Sequence, residues 1–363
     1  MTTTSGPAPR PGILDIAAYV GGEAHGTIRL ASNEGALGPS PHAMEAYSRL
    51  AGSIHRYPDG GSTELRQALA QRFNLDAARI ICGAGSDEII SLLTRSYVGP
   101  GDEVLYSAHG FLMYPISAKA CGATPVAAPE KNLKADIDAL LAHVTPRTRM
   151  VFIANPNNPT GTYLTADELT RLHAGLPSDV VLVIDAAYAE YVDAPDYSSG
   201  VELVEKHPNV VMTRTFSKIF ALGALRLGWG YFPAAIADVL NRVRGPFNVS
   251  APAHAAGVAA LADTGFLERS RAHNTQWRTW FRDAVQGLGL TVHDSVTNFV
   301  LVDFAGQKPG KDDAEAARQY LKARGILVRQ MSAYGLPTCL RVTIGTGDDM
   351  RTVADTLKAF LES

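Results

Sequence analysis

Cysteine is scarce in this 363-residue chain: Cys82, Cys121 and Cys339 are far apart, odd in number and form no CxxC pair. That pattern argues against a disulfide frame and a structural zinc site, and reads as reduced cytosolic thiols. No uninterrupted apolar run approaches the ~18 residues of a membrane span. The opening MTTTSGPAPRPG has neither the apolar core nor the cleavage pattern of a leader, so a cytoplasmic location is expected. An excess of one charge is missing as well. Lysine plus arginine number 33 against 36 acidic residues, for a net charge of -3, which gives no basic footprint for nucleic acid and no polybasic membrane patch. Small-molecule partners are expected, with no metal.

What the chain does have is bulk and alternation. With 46% hydrophobic and 19% charged residues, it can bury a large core and is long enough for two domains. Residues 1–12, rich in Thr, Pro and Gly, read as a disordered lead-in. From Pro41 on, helical periods such as STELRQALAQRF alternate with short apolar runs such as IICG, DEVLYS, VFIAN and VVLVID. That alternation predicts a mostly parallel sheet covered on both faces, with ligands at the carboxyl ends of its strands.

At 210–230, VVMTRTFSKIFALGALRLGWG, an apolar run stops at a polar knot of Thr213, Arg214, Thr215, Ser217 and Lys218. Ile219 to Gly223 follow, so the Lys218 amine is expected in an apolar wall, where desolvation favours the neutral, nucleophilic form suited to Schiff-base chemistry. Thr215, Ser217 and Arg226 could together offer two hydroxyls and a guanidinium to a phosphate. An amine beside a phosphate clamp points to pyridoxal phosphate. Taken alone, the segment is read as well by a solvated surface lysine. Three further motifs decide: ANPNNPTG at 154–161, VLVIDAAY at 181–188 and ICGAGSDE at 81–88.

With these motifs in this order, the chain from about Tyr19 onward resembles the fold-type I aminotransferases, most closely their histidinol-phosphate aminotransferase branch. The resemblance implies an α/β fold with a mostly parallel seven-stranded sheet in a large pyridoxal-phosphate domain, residues 41–247. It also implies a smaller α/β domain, 248–363, joined by an N-terminal arm, 1–40. Within the arm this chain has Asn33, Glu34, Gly35 and Ala36 where the family usually writes NENPLG, which leaves the arm's path open.

The same resemblance distributes roles. Lys218 holds the cofactor and then serves as the base. Asp185, carried by an apolar strand to the sheet edge, pairs with the pyridinium nitrogen; an isolated aspartate there would read as a turn cap. Asn158, held by the turn that Pro159 and Gly161 shape, and Tyr188 both donate to the ring's phenolic oxygen. Gly85, Ser86 and Asp87 present backbone amides at a helix N-terminus, a second part of the phosphate site beside Thr215, Ser217 and Arg226. Phe111 stacks on the ring, and Tyr114 reads as packing. Tyr57, in HRYPDGG, reaches the neighbouring subunit's cofactor phosphate, which implies a homodimer with shared sites. Tyr19 stands at the substrate entrance. Arg341 and Arg329 bind the substrate's anionic group, although either residue could equally make a surface ion pair.

The implied reaction moves an amino group between glutamate and imidazole acetol phosphate in histidine synthesis. The alternatives are an aromatic amino-acid aminotransferase and a phosphothreonine decarboxylase. An aminotransferase-like sensor domain of a transcription factor lacks support, because no basic extension is present.

Overall fold

The computed structural model describes residues 7–19, 21, 25–307 and 313–363; the first half of the expected lead-in, 1–6, lies outside them. Residues 7–12 are exposed, with Arg10 donating to the Ala120 carbonyl.

Seven strands form the main sheet: β1 (Ile80–Gly83), β2 (Glu103–Ser107), β3 (Thr124–Ala128), β4 (Thr148–Ala154), β5 (Val181–Asp185), β6 (Val210–Thr215) and β7 (Gly228–Tyr231). Their order across the sheet is β1-β7-β6-β5-β4-β2-β3. The β3-β2-β4-β5-β6 pairs are parallel, while β7 runs antiparallel to both β6 and β1. Alternate residues of the central strands point to opposite faces, and both faces are apolar. Met150, Phe152, Val181 and Val183 pack into one buried cluster, whereas Val151, Ile153, Leu182 and Ile184 pack into another. The first cluster takes in Ile89, Ile90, Leu92 and Leu93 of helix Ser86–Tyr97. This double cover is what leaves only the strand ends open for chemistry.

A second, antiparallel sheet follows: β8 (Thr291–His293), β9 (Phe299–Asp303), β10 (Arg329–Met331) and β11 (Leu336–Thr343), in the order β8-β9-β11-β10. Its own core joins Val300, Val302, Leu340 and Val342 to Phe281, Leu321 and Leu357. The arm is tied to this unit, since Ile28–Arg29 pair in parallel with Ile326–Leu327 and Leu30 enters the same core.

Packing offers a later division than the expected 247/248. Helix Ala251–Ala262 buries Ala253, Ala256 and Ala260 in the large sheet's cluster, and Leu267 still belongs there. Phe281 and Val285, on the same Thr264–Gln286 helix as Leu267, belong to the second core. The long helix thus carries the chain from one unit to the other.

Candidate active site

The carboxyl ends of β4, β5 and β6 lie side by side, with Ala154, Asp185 and Thr213 in register. They open into a cavity of about 330 Å3 roofed by the small sheet and the arm.

Asp185, the last residue of β5, is buried there. Its Oδ2 accepts from the Tyr114 hydroxyl at 2.9 Å and its Oδ1 from Thr213 at 3.3 Å. Burial nevertheless raises the carboxyl to about 6, because three neutral donors, these two hydroxyls and the Ala187 N–H, offset only part of the desolvation and Asp87 adds a like charge. Asp185 does accept from the turn that follows it, through the Ala187 N–H, but it remains a buried acid short of a cation. Tyr114 corrects the sequence reading in the same stroke. It does pack, stacking on Phe152 at 4.5 Å, but its hydroxyl orients the carboxylate. Phe111, just before the helix Met113–Ala120, meets the Tyr114 ring edge-on at 5.9 Å.

Lys218 follows β6 by three residues and projects into the cavity, with Nζ 3.3 Å from the Ser32 carbonyl and 5.7 Å from the Tyr188 ring centre. Desolvation, reinforced by the Arg341 charge, lowers its amine to about 8. The arm's path is now explicit. Asn33 Nδ2 donates to the Tyr188 hydroxyl at 2.8 Å, its backbone N–H donates to Thr343, and Asn298 holds the carbonyls of Asn33 and Glu34. Gly35 is needed at its position, since a Cβ would fall 2.8 Å from the Ala221 Cβ and 3.1 Å from the Lys218 carbonyl. The sequence reading missed Asn33 as a site residue. Because Asn33 donates into the Tyr188 oxygen, the tyrosine's own proton stays free to be given elsewhere; burial pushes that hydroxyl to about 12.

At the other end of the cavity, helix Ser86–Tyr97 starts from Gly85, whose φ of 84° suits glycine. Arg226 crosses above it, close enough that a Cβ on Gly85 would lie 2.5 Å from Nη2. The guanidinium reaches Ser217 at 3.4 Å and pairs with Asp87 at 3.0 Å. Ser86, Asp87, Thr215, Ser217 and Arg226 line this end together. The Thr215 hydroxyl is partly committed to the turn itself, donating to Leu227 and accepting from the Ser217 N–H.

Across the cavity, Arg341 on β11 and Arg329 on β10 are directly opposite each other in the ladder. Arg341 is only 3% exposed. It donates to the Ala31 carbonyl at 2.7 Å and to Asn158 Oδ1, which leaves the Asn158 amide N–H groups available. Its Nε is buried without a hydrogen-bond partner among the described residues. The surface ion-pair reading is thereby excluded for Arg341. Arg329 lines the cavity mouth with Tyr19, whose ring centre lies 5.4 Å from the guanidinium carbon. Phe111 meets Tyr19 edge-on at 6.4 Å. Tyr57 is outside this assembly: it is 83% exposed and stacked on Phe247 at 4.7 Å.

The pattern of strand-end lysine, aspartate and clamp is that of an enzyme class. The sequence profile described as Aminotransferase class I and II matches residues 25–357, and the chain belongs to this family, with the α/β architecture of fold type I. Histidinol-phosphate aminotransferase of Rhodospirillum centenum is 66% identical over 363 residues, covering 99% of each chain. The protein of the same name from Paramagnetospirillum magneticum is 60% identical over 360 residues, 98% of this chain and 99% of its own. Among solved structures, histidinol-phosphate aminotransferase from Sinorhizobium meliloti in complex with pyridoxal-5'-phosphate superposes with a TM-score of 0.88 at 28% identity, over 99% of both chains.

Proposed function

We propose that the chain moves an amino group between glutamate and imidazole acetol phosphate, the histidinol-phosphate aminotransferase reaction of histidine synthesis, with pyridoxal phosphate as cofactor. The residues fit that cofactor's groups one by one. The buried Asp185 carboxyl lacks a cation that a pyridinium would supply, and Gly85, by having no Cβ, lets the Arg226 guanidinium lie against the helix start where a phosphate would be held. Asn158 and Tyr188 retain donors for a phenolic oxygen, and Lys218 is poised for the aldehyde. When bound, the cofactor supplies an electron sink for the charge left as the substrate Cα loses its proton.

The chain's own work is positional and protic. Lys218 Nζ, with its pKa near 8, is partly neutral at physiological pH and can take and return the Cα proton. Tyr114 and Thr213 orient the Asp185 carboxylate, which would pair with the cofactor's pyridinium, while Asn33 fixes the Tyr188 hydroxyl.

The observation that carries the substrate reading is the Arg329–Arg341 pair on facing strands. One fork suits a carboxylate, and two suit a phosphate dianion. The relatives' shared name supports the same reading at 66% and 60% identity. A half-reaction panel following cofactor absorbance tests it: histidinol phosphate should convert far faster than phenylalanine, tyrosine or phosphothreonine. Faster conversion of an aromatic amino acid would replace the reading with an aromatic aminotransferase.

The active unit is taken to be a homodimer completed by Tyr57. In support, the segment 44–57 exposes four large apolar or aromatic side chains, Met44, Tyr47, Ile54 and Tyr57, the last 83% exposed. Sedimentation of the active enzyme decides this, and a fully active monomer would end the assignment.

A further inference from the structure

We propose that His293, Asp303 and Cys339 form a binding site for a divalent metal of the zinc class on the small sheet. Sequence spacing gives no hint of it, because the register of three strands does the assembling. His293 ends β8, Asp303 ends β9, and Cys339 lies in β11. Asp303 stands opposite Thr291 in one ladder and opposite Cys339 in the other, and His293 is two residues along from Thr291. Since side chains alternate along a strand, that register turns all three to one face.

One ligand atom from each residue lies within 4.8 Å of the other two. His293 Nε2 and Asp303 Oδ2 are 3.8 Å apart. That is too far for a hydrogen bond, but near the separation of two ligand atoms each ~2.0–2.2 Å from one tetrahedral ion. Asp303 is already oriented, since its Oδ1 accepts from the Ala305 N–H at 2.9 Å and leaves Oδ2 to turn inward. Imidazole, carboxylate and thiolate make a borderline-soft set, which favours zinc over magnesium or calcium. The His293 and Asp303 side chains keep 30% and 23% exposure, so water can supply a fourth ligand. Binding releases the Cys339 thiol proton to solvent as the metal–sulfur bond forms, and no oxidant or reductant is involved.

The site has a structural consequence. Cys339 is two residues before Arg341 on the same face of β11, so an ion there pins the strand that delivers the buried guanidinium.

Cobalt(II) titration of the cofactor-loaded enzyme, stripped beforehand with a chelator, tests the proposal. A tetrahedral thiolate–cobalt centre absorbs in the red, where pyridoxal phosphate does not. The expected result is one equivalent bound with that band, lost in Cys339→Ser and weakened at least about tenfold in His293→Gln. Cys121→Ser should keep it, because that half-buried thiol is the competing source of sulfur. Should Cys339→Ser fail to fold, His293→Gln decides alone. Absence of the band in the parent enzyme, or its survival undiminished in His293→Gln, would overturn the site.

Discussion

Two guanidiniums face each other across the cleft and are held in opposite ways. Arg226, with a side chain 50% exposed, already has a carboxylate partner in Asp87 at 3.0 Å. Arg341 is 3% exposed, donates to a carbonyl and an amide oxygen beside the Phe299 ring, and among the described residues has no carboxylate partner and no hydrogen-bond partner for its buried Nε. An anion arriving at Arg226 shares a charge that is already paired and partly hydrated. An anion arriving at Arg341 is the first countercharge in a low-dielectric setting, where Coulomb attraction is several times stronger than in water. With the proposed function, the difference makes a division of labour: the Arg226 end would retain the cofactor phosphate by many modest contacts, and the Arg341 end would discriminate among incoming anions.

The residues between these ends supply the largest expected effects. Lys218→Ala should bind cofactor at the unchanged clamp and Asp185 but lose turnover by ~10^4-fold, the upper range for a positioned acid–base group. Borohydride reduction and peptide mapping of the parent enzyme give the companion check. A pyridoxyl adduct on any other lysine would break the comparison, since the amine would then not lie between the two anion sites.

Asp185→Asn should separate stability from function. The folded carboxyl lies near 6 against 3.8 for an unperturbed aspartate, so the folded state holds its proton more tightly. Its penalty is therefore absent below about pH 4, grows as pH rises towards 6 and is complete above that. The corresponding linkage is on the order of 3 kcal/mol. Cofactor-free Asp185→Asn should accordingly melt higher than the parent at pH 7–8, with the gap closing by pH 4, while its affinity for pyridoxal phosphate falls. Equal melting at every pH would mean that Asp185 is solvated and not short of a cation.

Much of this was legible in the sequence because the chemistry sits at strand ends. An apolar run that halts at Asp185 or at Thr215 announces both the strand and the exposed edge. That Ser86, Asp87, Thr215, Ser217 and Arg226 meet at one end of the cavity was legible for the same reason, since they come from two short motifs. The arm was not. Asn33 acts on Tyr188 and Thr343 across 155 and 310 residues, and no local pattern records such a contact. Tyr114 was hidden by its own burial, since a tyrosine on an apolar helix face looks like packing until its hydroxyl is traced to Asp185. The antiparallel β7 was equally hidden, because LRLGWGYF reads as a strand without a direction. Helix Ala251–Ala262 was assigned past the domain border on a change of composition, although its alanines fit the large sheet's core.

The central claim, that two guanidiniums on facing strands select a phosphate ester, is tested most directly by Arg329→Ala. Its kcat/KM should be measured for histidinol phosphate and, in a half-reaction, for phenylalanine. Removing one charge-assisted hydrogen bond predicts a loss of about 1.5 kcal/mol, roughly tenfold, for histidinol phosphate. Phenylalanine, whose carboxylate needs only the Arg341 fork, should change less than about twofold. An equal loss for both substrates would contradict the account, because Arg329 would then be serving the cleft as a whole and not the phosphate.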